Sequence, residues 1–167
     1  MKNIDNVAVF FTVFLLIICI FIKKDEYFNG NVYHTINESG KEFKYKVQDR
    51  HDKGEAANRL HKLNFKVNQM INYLHEKEPD HQGVKRLKNR YRPDILSELH
   101  EGSSNTSYSI NKGEKIVVCL RSKDDYSFQD ENTVFFVVLH ELAHIMTVSI
   151  GHKEDFWENF RYLLKHC

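Results

Sequence analysis

The first pattern along the chain is an apolar run near its N-terminus. Residues 7–22 read VAVFFTVFLLIICIFI, sixteen positions without a charged side chain, and no polar stripe divides them into two faces. A run of this length approaches what is needed to span the hydrocarbon core of a bilayer. Because no small-residue cleavage site follows before Lys23, we expect an uncleaved membrane anchor over residues 1–23 rather than a signal peptide.

Periodic patterns fill the residues after this run. The segments NVYHTI and KEFKYKV alternate apolar and polar residues around the turn sequence NESG, and TSYSI and KIVVCL flank NKGE, which predicts two β-hairpins. Residues 116–120 are apolar at five successive positions, as is typical of a strand buried on both faces. Between the hairpins, a helix is predicted to begin at the capping pair Asp52 and Glu55 and to end before Pro79. Its apolar stripe consists of Leu60, Leu63, Val67, Met70 and Leu74.

A second helical segment is apolar almost all round. Residues 132–150 include the stretch VVLHELAHIM, and the pattern predicts a buried helix. Three ionisable residues, His140, Glu141 and His144, interrupt it. Because burying such groups without partners is unfavourable, something must compensate them.

A metal ion is the partner that these three residues fit best. His140 and His144 are four positions apart, which places both imidazoles on one face of a helix, where they can bind one zinc ion. Glu141 then lies beside the metal and can take a proton from a zinc-bound water. Two core histidines satisfied by hydrogen bonds are the alternative, but together with the carboxylate they would need three buried partners. We therefore predict a catalytic zinc site with Glu141 as general base.

The third ligand is expected just after this helix. A catalytic zinc takes three protein ligands and leaves one position open for water. In the segment SIGHKEDFW, Gly151 is suited to a left-handed C-cap, and His152 follows at once. We predict His152 as the third ligand, with Glu154 and Asp155 as alternatives because carboxylates also bind zinc. The metal site then falls within residues 132–157.

Composition and charge limit the number of domains and the kinds of partner that we expect. The 167 residues are 41% hydrophobic, which favours one globular domain, and the net charge of +1 gives no overall attraction to nucleic acid. Cys119 and Cys167 are the only cysteines outside the apolar run, so no disulfide framework is expected. One basic run, VKRLKNRYRPD, could contact phosphates, although a solvated helix face is the commoner meaning. Its basic residues are Lys85, Arg86, Lys88, Arg90 and Arg92.

The charges around the apolar run predict its orientation. Lys2 precedes it, whereas Lys23, Lys24 and Lys41 follow it. The positive-inside rule then puts the remainder of the chain in the cytoplasm. We expect a single-pass membrane protein whose catalytic domain lies on the cytoplasmic side.

The sequence HELAHIMTVSIGHKEDFW resembles the zincin metallopeptidases of the WLM and SprT-like kind, in which H-E-x-x-H is followed by a short segment, a Gly-His pair and an aromatic residue. The preceding TSYSINKGEKIVVCLRS resembles a segment of uncharacterised WLM-like proteins of large DNA viruses. The resemblance covers roughly residues 82–164. It implies a zincin fold, bound zinc and peptide hydrolysis, with His140, His144 and His152 as ligands and Glu141 as base. His152 lies eight residues after His144, not the six of metzincins, and no methionine follows it.

Together these observations predict an α+β, zincin-like domain over residues 24–167. We expect the active-site helix to pack on a small, mainly antiparallel sheet, with one N-terminal transmembrane helix preceding the domain. An extended peptide substrate is predicted to bind beside an edge strand near residues 115–121. Tyr108, Tyr126 and Tyr162 are candidates to stabilise the oxyanion, and their spacing does not choose among them.

The predicted function is that of a membrane-tethered zinc metallopeptidase acting on protein or peptide substrates. Two alternatives remain at this level. One is a catalytically silent zinc-binding interaction module. The other is a DNA-associated protease that acts on protein-DNA crosslinks and uses the basic run to bind DNA. Retention of Glu141 speaks against the silent module, because a structural zinc site has no use for a base.

Overall fold

A computed structural model describes residues 30–167 of the chain. Within them, five strands and four helices follow one another in a single order. The elements are β1 (Asn31–Glu38), β2 (Lys41–Gln48), α1 (Lys53–Lys77), α2 (Gln82–Arg90), β3 (Leu96–Glu98), β4 (Tyr108–Ile110), β5 (Lys115–Val118), α3 (Glu131–Met146) and α4 (Glu154–Leu164). The core lies where β2, β3 and β5 meet the apolar sides of the helices.

The five strands form one mixed sheet in the order β1-β2-β3-β5-β4. Strands β1 and β2 are antiparallel, as are β4 and β5, so both predicted hairpins are confirmed. The prediction of a mainly antiparallel sheet is wrong, because β3 is parallel to both β2 and β5. The chain leaves β2, passes through α1 and α2, and returns in its original direction, which is the connection that parallel pairing requires.

The predicted transmembrane segment, residues 7–22, and the predicted anchor domain, residues 1–23, lie outside the described residues. Within residues 30–167, no helix combines the length and the apolar character needed to cross a membrane. Helix α1 has 25 residues but is rich in charged side chains, and the apolar α3 has only 16. The fold of the described residues is therefore α+β with a mixed five-stranded sheet and four helices, in place of the predicted mainly antiparallel sheet with a transmembrane helix. These residues give no support to the predicted single-pass membrane localisation with a cytoplasmic domain.

Helix α1 packs its predicted stripe against the sheet. The five stripe residues are all buried, and the helix ends at Lys77, before Pro79, as predicted. Its first residue follows Asp52, but the Asp52 side chain does not cap the helix. The carboxylate binds Arg121 instead, so the predicted capping pair is wrong and Asp52 serves a contact between distant parts of the chain.

A buried ion cluster around Arg121 joins the sheet to α1. Arg121 and Glu98 are 3% and 1% exposed, and Arg121 Nε donates to Glu98 Oε1 over 2.8 Å. Arg121 Nη1 and Nη2 donate to the two carboxylate oxygens of Asp52 over 2.6 and 2.9 Å. Burial raises the pKa of Glu98, although the backbone N–H of Gln48 also donates to its carboxylate, whereas the hydrogen bonds from Arg121 lower the pKa of Asp52. One guanidinium thus compensates two carboxylates.

Helix α3 begins where Asp130 caps it and ends earlier than predicted. Asp130 Oδ1 accepts from the backbone N–H groups of Asn132 and Thr133, both over 3.0 Å. The last helical residue is Met146 rather than residue 150. Thr147 turns to an extended conformation while its hydroxyl donates to the Ala143 carbonyl over 2.7 Å. Residues 147–153 therefore form a loop between α3 and α4.

Two consequences of this early end differ from the sequence analysis. Val148 and Ile150, expected within a buried helix, are 70% and 84% exposed. Gly151 has a positive φ of 80°, as predicted, but it lies within the loop and is not the helix cap. The loop, rather than a longer helix, leads to His152.

The Arg121 cluster generates the first prediction. Replacing Arg121 with Met should lower the free energy of unfolding by about 3–5 kcal/mol, because Glu98 would stay buried without its charged partner. Urea denaturation of the full chain measures this quantity.

Arg59→Met is the matched control. Arg59 also stacks on Phe128, as Arg121 does, but its ion pair with Glu55 lies at the surface. Its loss should lower the free energy of unfolding by about 1 kcal/mol or less. Equal losses for the two substitutions would show that the buried pairing with Glu98 is not what stabilises the sheet.

Candidate metal centre

Helix α3 is buried on one side and borders a cleft on the other. Its buried side chains contact β5, α2 and α4. His140, Glu141 and His144 face a cleft of about 440 Å³, and Glu141 is 6% exposed there. The rest of the cleft wall consists of Ser107, Tyr108, Ser109, Lys112, Ser149, Ile150, Gly151 and His152.

The three histidines predicted as ligands come together at this cleft. One ring nitrogen from each of His140, His144 and His152 lies within 4.8 Å of those of the other two. The Nε2 atoms of His140 and His152 are 3.0 Å apart. Two of the rings come from successive turns of α3 and the third from the loop that follows, so the cluster joins residues 12 positions apart in the chain.

The two alternatives for the third ligand lie outside this group. Glu154 begins α4, and its carboxylate accepts from Arg161 over 2.7 Å. The Asp155 carboxylate accepts a hydrogen bond from the Ser149 hydroxyl over 2.6 Å, and this bond lowers the pKa of Asp155. The structure therefore places His152, and neither carboxylate, with the histidines of α3.

Phe156 forms the floor beneath the cluster. Its ring is fully buried, and its centroid lies 4.9 Å from that of His140, 4.4 Å from His144 and 4.6 Å from His152. The neighbouring Trp157 is 42% exposed and, of the three histidine rings, contacts only that of His152, at 5.9 Å. Phe156 could have been found from the sequence, because it shares the apolar stripe of α4.

Burial changes the protonation of the two helix histidines. It lowers the pKa of His140, and it lowers that of His144 to about 4, with smaller contributions from His140, His152 and Lys112. Both imidazoles are therefore neutral near pH 7, which is the form that binds a metal ion. A group of three imidazole nitrogens suits a divalent transition metal such as zinc.

Strand β4 forms the sheet edge at the cleft. The sequence analysis expected the edge near residues 115–121, but β5 lies between β3 and β4. Through the turn 111–114, β4 pairs with β5 on the side away from β3. The hairpin pattern predicts that the two strands pair, but it does not tell which of them lies at the edge of the sheet. Residues 107–109 line the cleft, so the edge next to the histidines belongs to β4.

The three tyrosines proposed for the oxyanion are far apart in the structure. Tyr108 lines the cleft. Tyr126 packs under the Arg50 guanidinium at 4.1 Å and borders a different pocket. Tyr162 lies against His81 and His166, with ring centroids 4.5 and 4.6 Å away. Tyr108 is the candidate that shares the cleft with the histidines.

The basic run lies on α2 and just after it, and Val84 and Leu87 face the core. Four of its five basic residues bind neighbouring groups. These contacts are Lys85 to Asp80 (3.1 Å), Arg86 to the Met146 carbonyl (2.6 Å), Lys88 to Asn72 and Arg92 to Asp94 (3.4 Å). Contact with nucleic acid through this run stays a prediction.

A helix with H-E-x-x-H, packed on a sheet and followed by a third histidine from the next loop, is the arrangement of a class of metallopeptidases. The sequence model of the WLM domain matches residues 43–167, and the chain belongs to the WLM domain family. The predicted resemblance to this family and to viral proteins is thereby confirmed, over a longer region than residues 82–164.

Two relatives and one solved structure illustrate the relation. An uncharacterised protein of Acanthamoeba polyphaga mimivirus is 33% identical over 125 residues, covering 72% of this chain and 64% of that protein. The DNA-dependent metalloprotease WSS1 homolog 2 of Schizosaccharomyces pombe is 31% identical over 105 residues, covering 58% of this chain and 36% of that protein. The match thus spans less than two thirds of either relative. The crystal structure of Wss1 from Saccharomyces cerevisiae shares the fold, with a TM-score of 0.51, 21% identity, and coverage of 71% and 82% of the two chains.

The depressed pKa of His144 generates the second prediction. In the chelator-treated full chain, the imidazole signals of His144 should titrate with a midpoint near pH 4 in an NMR experiment. Because the unfolded chain binds this proton already near pH 6.5, the contribution of His144 to stability is complete above 6.5 and is lost as the pH falls toward 4. His144→Asn should remove that part of the pH dependence of unfolding. A His144 midpoint near 6.5 would contradict the burial described here.

Proposed function

We propose that this protein is a zinc-dependent peptidase. The observation that carries the proposal is the convergence of His140, His144 and His152 beside Glu141, in an open cleft at a sheet edge. Membership of the WLM domain family and similarity to a protein named as a metalloprotease support it.

Each of the four residues has one role in this proposal. The three histidines would hold a zinc ion through one ring nitrogen each. A bound zinc ion would lower the pKa of a water molecule and polarise a carbonyl group. Glu141 follows His140 on α3 and faces the same cleft, so its carboxylate accepts the proton of the attacking water and later delivers it to the leaving amine.

The substrate is an extended peptide that adds to the edge of β4. Residues 107–109 line the cleft, and β4 is an edge strand whose outer side would offer main-chain hydrogen bonds by strand addition. This replaces the predicted binding beside residues 115–121, because residues 115–118 form the interior strand β5. Tyr108 shares the cleft with Glu141, and we assign its hydroxyl the donor role toward the oxyanion.

The open cleft favours an enzyme over a silent zinc-binding module. A structural zinc site fills its fourth position with a protein ligand, whereas the group found within residues 30–167 consists of three histidines. A DNA-dependent form of the same activity is the second candidate, favoured by the relative named as a DNA-dependent metalloprotease. Peptidase assays with and without duplex DNA, at two salt concentrations, distinguish the two forms.

The third prediction concerns the metal. The purified full chain should bind about one zinc ion, and replacing His140, His144 or His152 with Ala should each reduce zinc content sharply, because two ligands remain where three are needed. Glu154→Ala is the control and should retain zinc, whereas Asp155→Ala removes one contact of the loop that carries His152 and should reduce zinc content less than His152→Ala does. Full retention in His152→Ala, with loss in Glu154→Ala or Asp155→Ala, would reassign the third ligand.

The fourth prediction concerns the base. Glutamine has nearly the shape of glutamate, so Glu141→Gln should keep the fold and the zinc content while removing the group that accepts the proton. Because general-base catalysis contributes roughly 10²–10⁴-fold, peptidase activity on unfolded protein should fall by about a hundredfold or more. Equal cleavage by the parent and the variant would exclude Glu141 as the base. Zinc binding without cleavage by either protein would favour the silent module.

A further inference from the structure

The loop that carries His152 is held by cations from two other elements. Lys112 Nζ, in the turn between β4 and β5, lies 2.8 Å from the Thr147 carbonyl, 2.8 Å from that of Ser149 and 2.5 Å from that of Val148. Arg86 Nε, from α2, donates to the preceding Met146 carbonyl over 2.6 Å. Four successive carbonyls at the end of α3 are thus satisfied by two cations, which also complement the negative end of the helix dipole.

Lys112 uses its full donor capacity in this contact. An ammonium group can donate three hydrogen bonds and accept none. Each of the three carbonyls of residues 147–149 accepts one of them. These carbonyls belong to the first residues after α3, between His144 and His152. The cation therefore fixes the path of the chain between the second and the third histidine.

The turn that presents Lys112 is itself tightly fixed. Asn111 and Lys112 both have positive φ values, 46° and 53°, which non-glycine residues adopt only when the surroundings enforce them. The Asn111 amide donates to Glu114 over 2.6 Å. Gly113 has φ 98°, and a Cβ atom there would lie 2.5 Å from Ile145 Cδ1, so the turn packs directly on α3. Lys112 is held at one position relative to the helix that carries His140 and His144.

Most of the loop lacks apolar packing. Val148 and Ile150 are 70% and 84% exposed, whereas the His152 ring packs on Phe156. Ser149 and Thr147 bind Asp155 and Asn159 of α4. The Thr147 hydroxyl also binds the Ala143 carbonyl, and His152 Nε2 lies 3.0 Å from His140 Nε2, both on α3. Lys112 is the contact that ties it to the sheet.

From this geometry we infer that Lys112 is a positioning residue for the third metal ligand. By binding three carbonyls of the loop, it holds the His152 ring beside the histidines of α3. The inference rests on the proposed function, because it assigns Lys112 a part in the same metal site. Lys112 acts through His152 and need not touch the metal or the substrate.

Zinc affinity of the full chain, measured by competition with a chelator, tests the inference. Lys112→Met should raise the zinc dissociation constant about tenfold or more, as is common when a group supporting a metal ligand is lost. Lys112→Arg should lie between Met and the parent, because a planar guanidinium keeps the charge but cannot meet three carbonyls in the same way. The matched control is Lys123→Met. Lys123 Nζ also binds two loop carbonyls, those of Ser104 and Asn105, away from the cleft, and its loss should leave zinc affinity unchanged.

A double substitution separates positioning from general destabilisation. In the His152→Ala background, adding Lys112→Met should have no further effect on zinc affinity, because the ligand that Lys112 positions is gone. In the chelator-treated chain, Lys112→Met should also speed amide hydrogen exchange within residues 148–152, whereas Lys123→Met should not.

Failure of the Lys112 role and failure of the proposed zinc site give different results. Unchanged zinc affinity in Lys112→Met, or the same weakening with and without His152, would overturn the role of Lys112 while leaving the zinc site in place. A parent chain that binds no zinc would overturn the proposed function itself, and with it this role.

Discussion

Helix α3 must bury its apolar side in the core and expose its histidines to the cleft, and the packing of the rest of the structure depends on this constraint. The helix is apolar enough to lie against β5, α2 and α4, yet it carries two imidazoles and a carboxylate. Those groups avoid the cost of complete burial because they share one face of the helix, the face that borders the cleft. The opposite face supplies the apolar contacts that anchor the helix, so the same element stabilises the domain and positions the histidines.

The surroundings of α3 serve that arrangement from three directions. Phe156 supports all three histidine rings from α4. The turn between β4 and β5 packs on Ile145 through Gly113, and β4 leaves its edge open at the cleft. Farther away, Arg121 joins the sheet to the start of α1 by donating hydrogen bonds to both Glu98 and Asp52. Because the sheet is fixed to the helices at both places, the strand edge and the histidines keep one relative position.

The parts that the sequence predicts correctly are those governed by local spacing. The two hairpins follow from alternating residues around NESG and NKGE, the stripe of α1 from its three-and-four spacing, and the meeting of His140 with His144 from one turn of a helix. The errors involve contacts between distant segments. The parallel pairing of β3 depends on a short strand after two helices, and the loop after α3 is bound by Lys112, which lies 35 residues before Thr147. No local pattern records either contact.

X-ray absorption at the zinc edge of the loaded full chain tests the central claim most directly, namely that three histidines bind zinc and leave one position open. The account predicts only nitrogen and oxygen neighbours, at about 2.0–2.1 Å, with the scattering of three imidazoles and one further oxygen atom. Sulfur neighbours at about 2.3 Å, contributed by Cys119 or Cys167, or a fourth imidazole closing the coordination sphere, would contradict it.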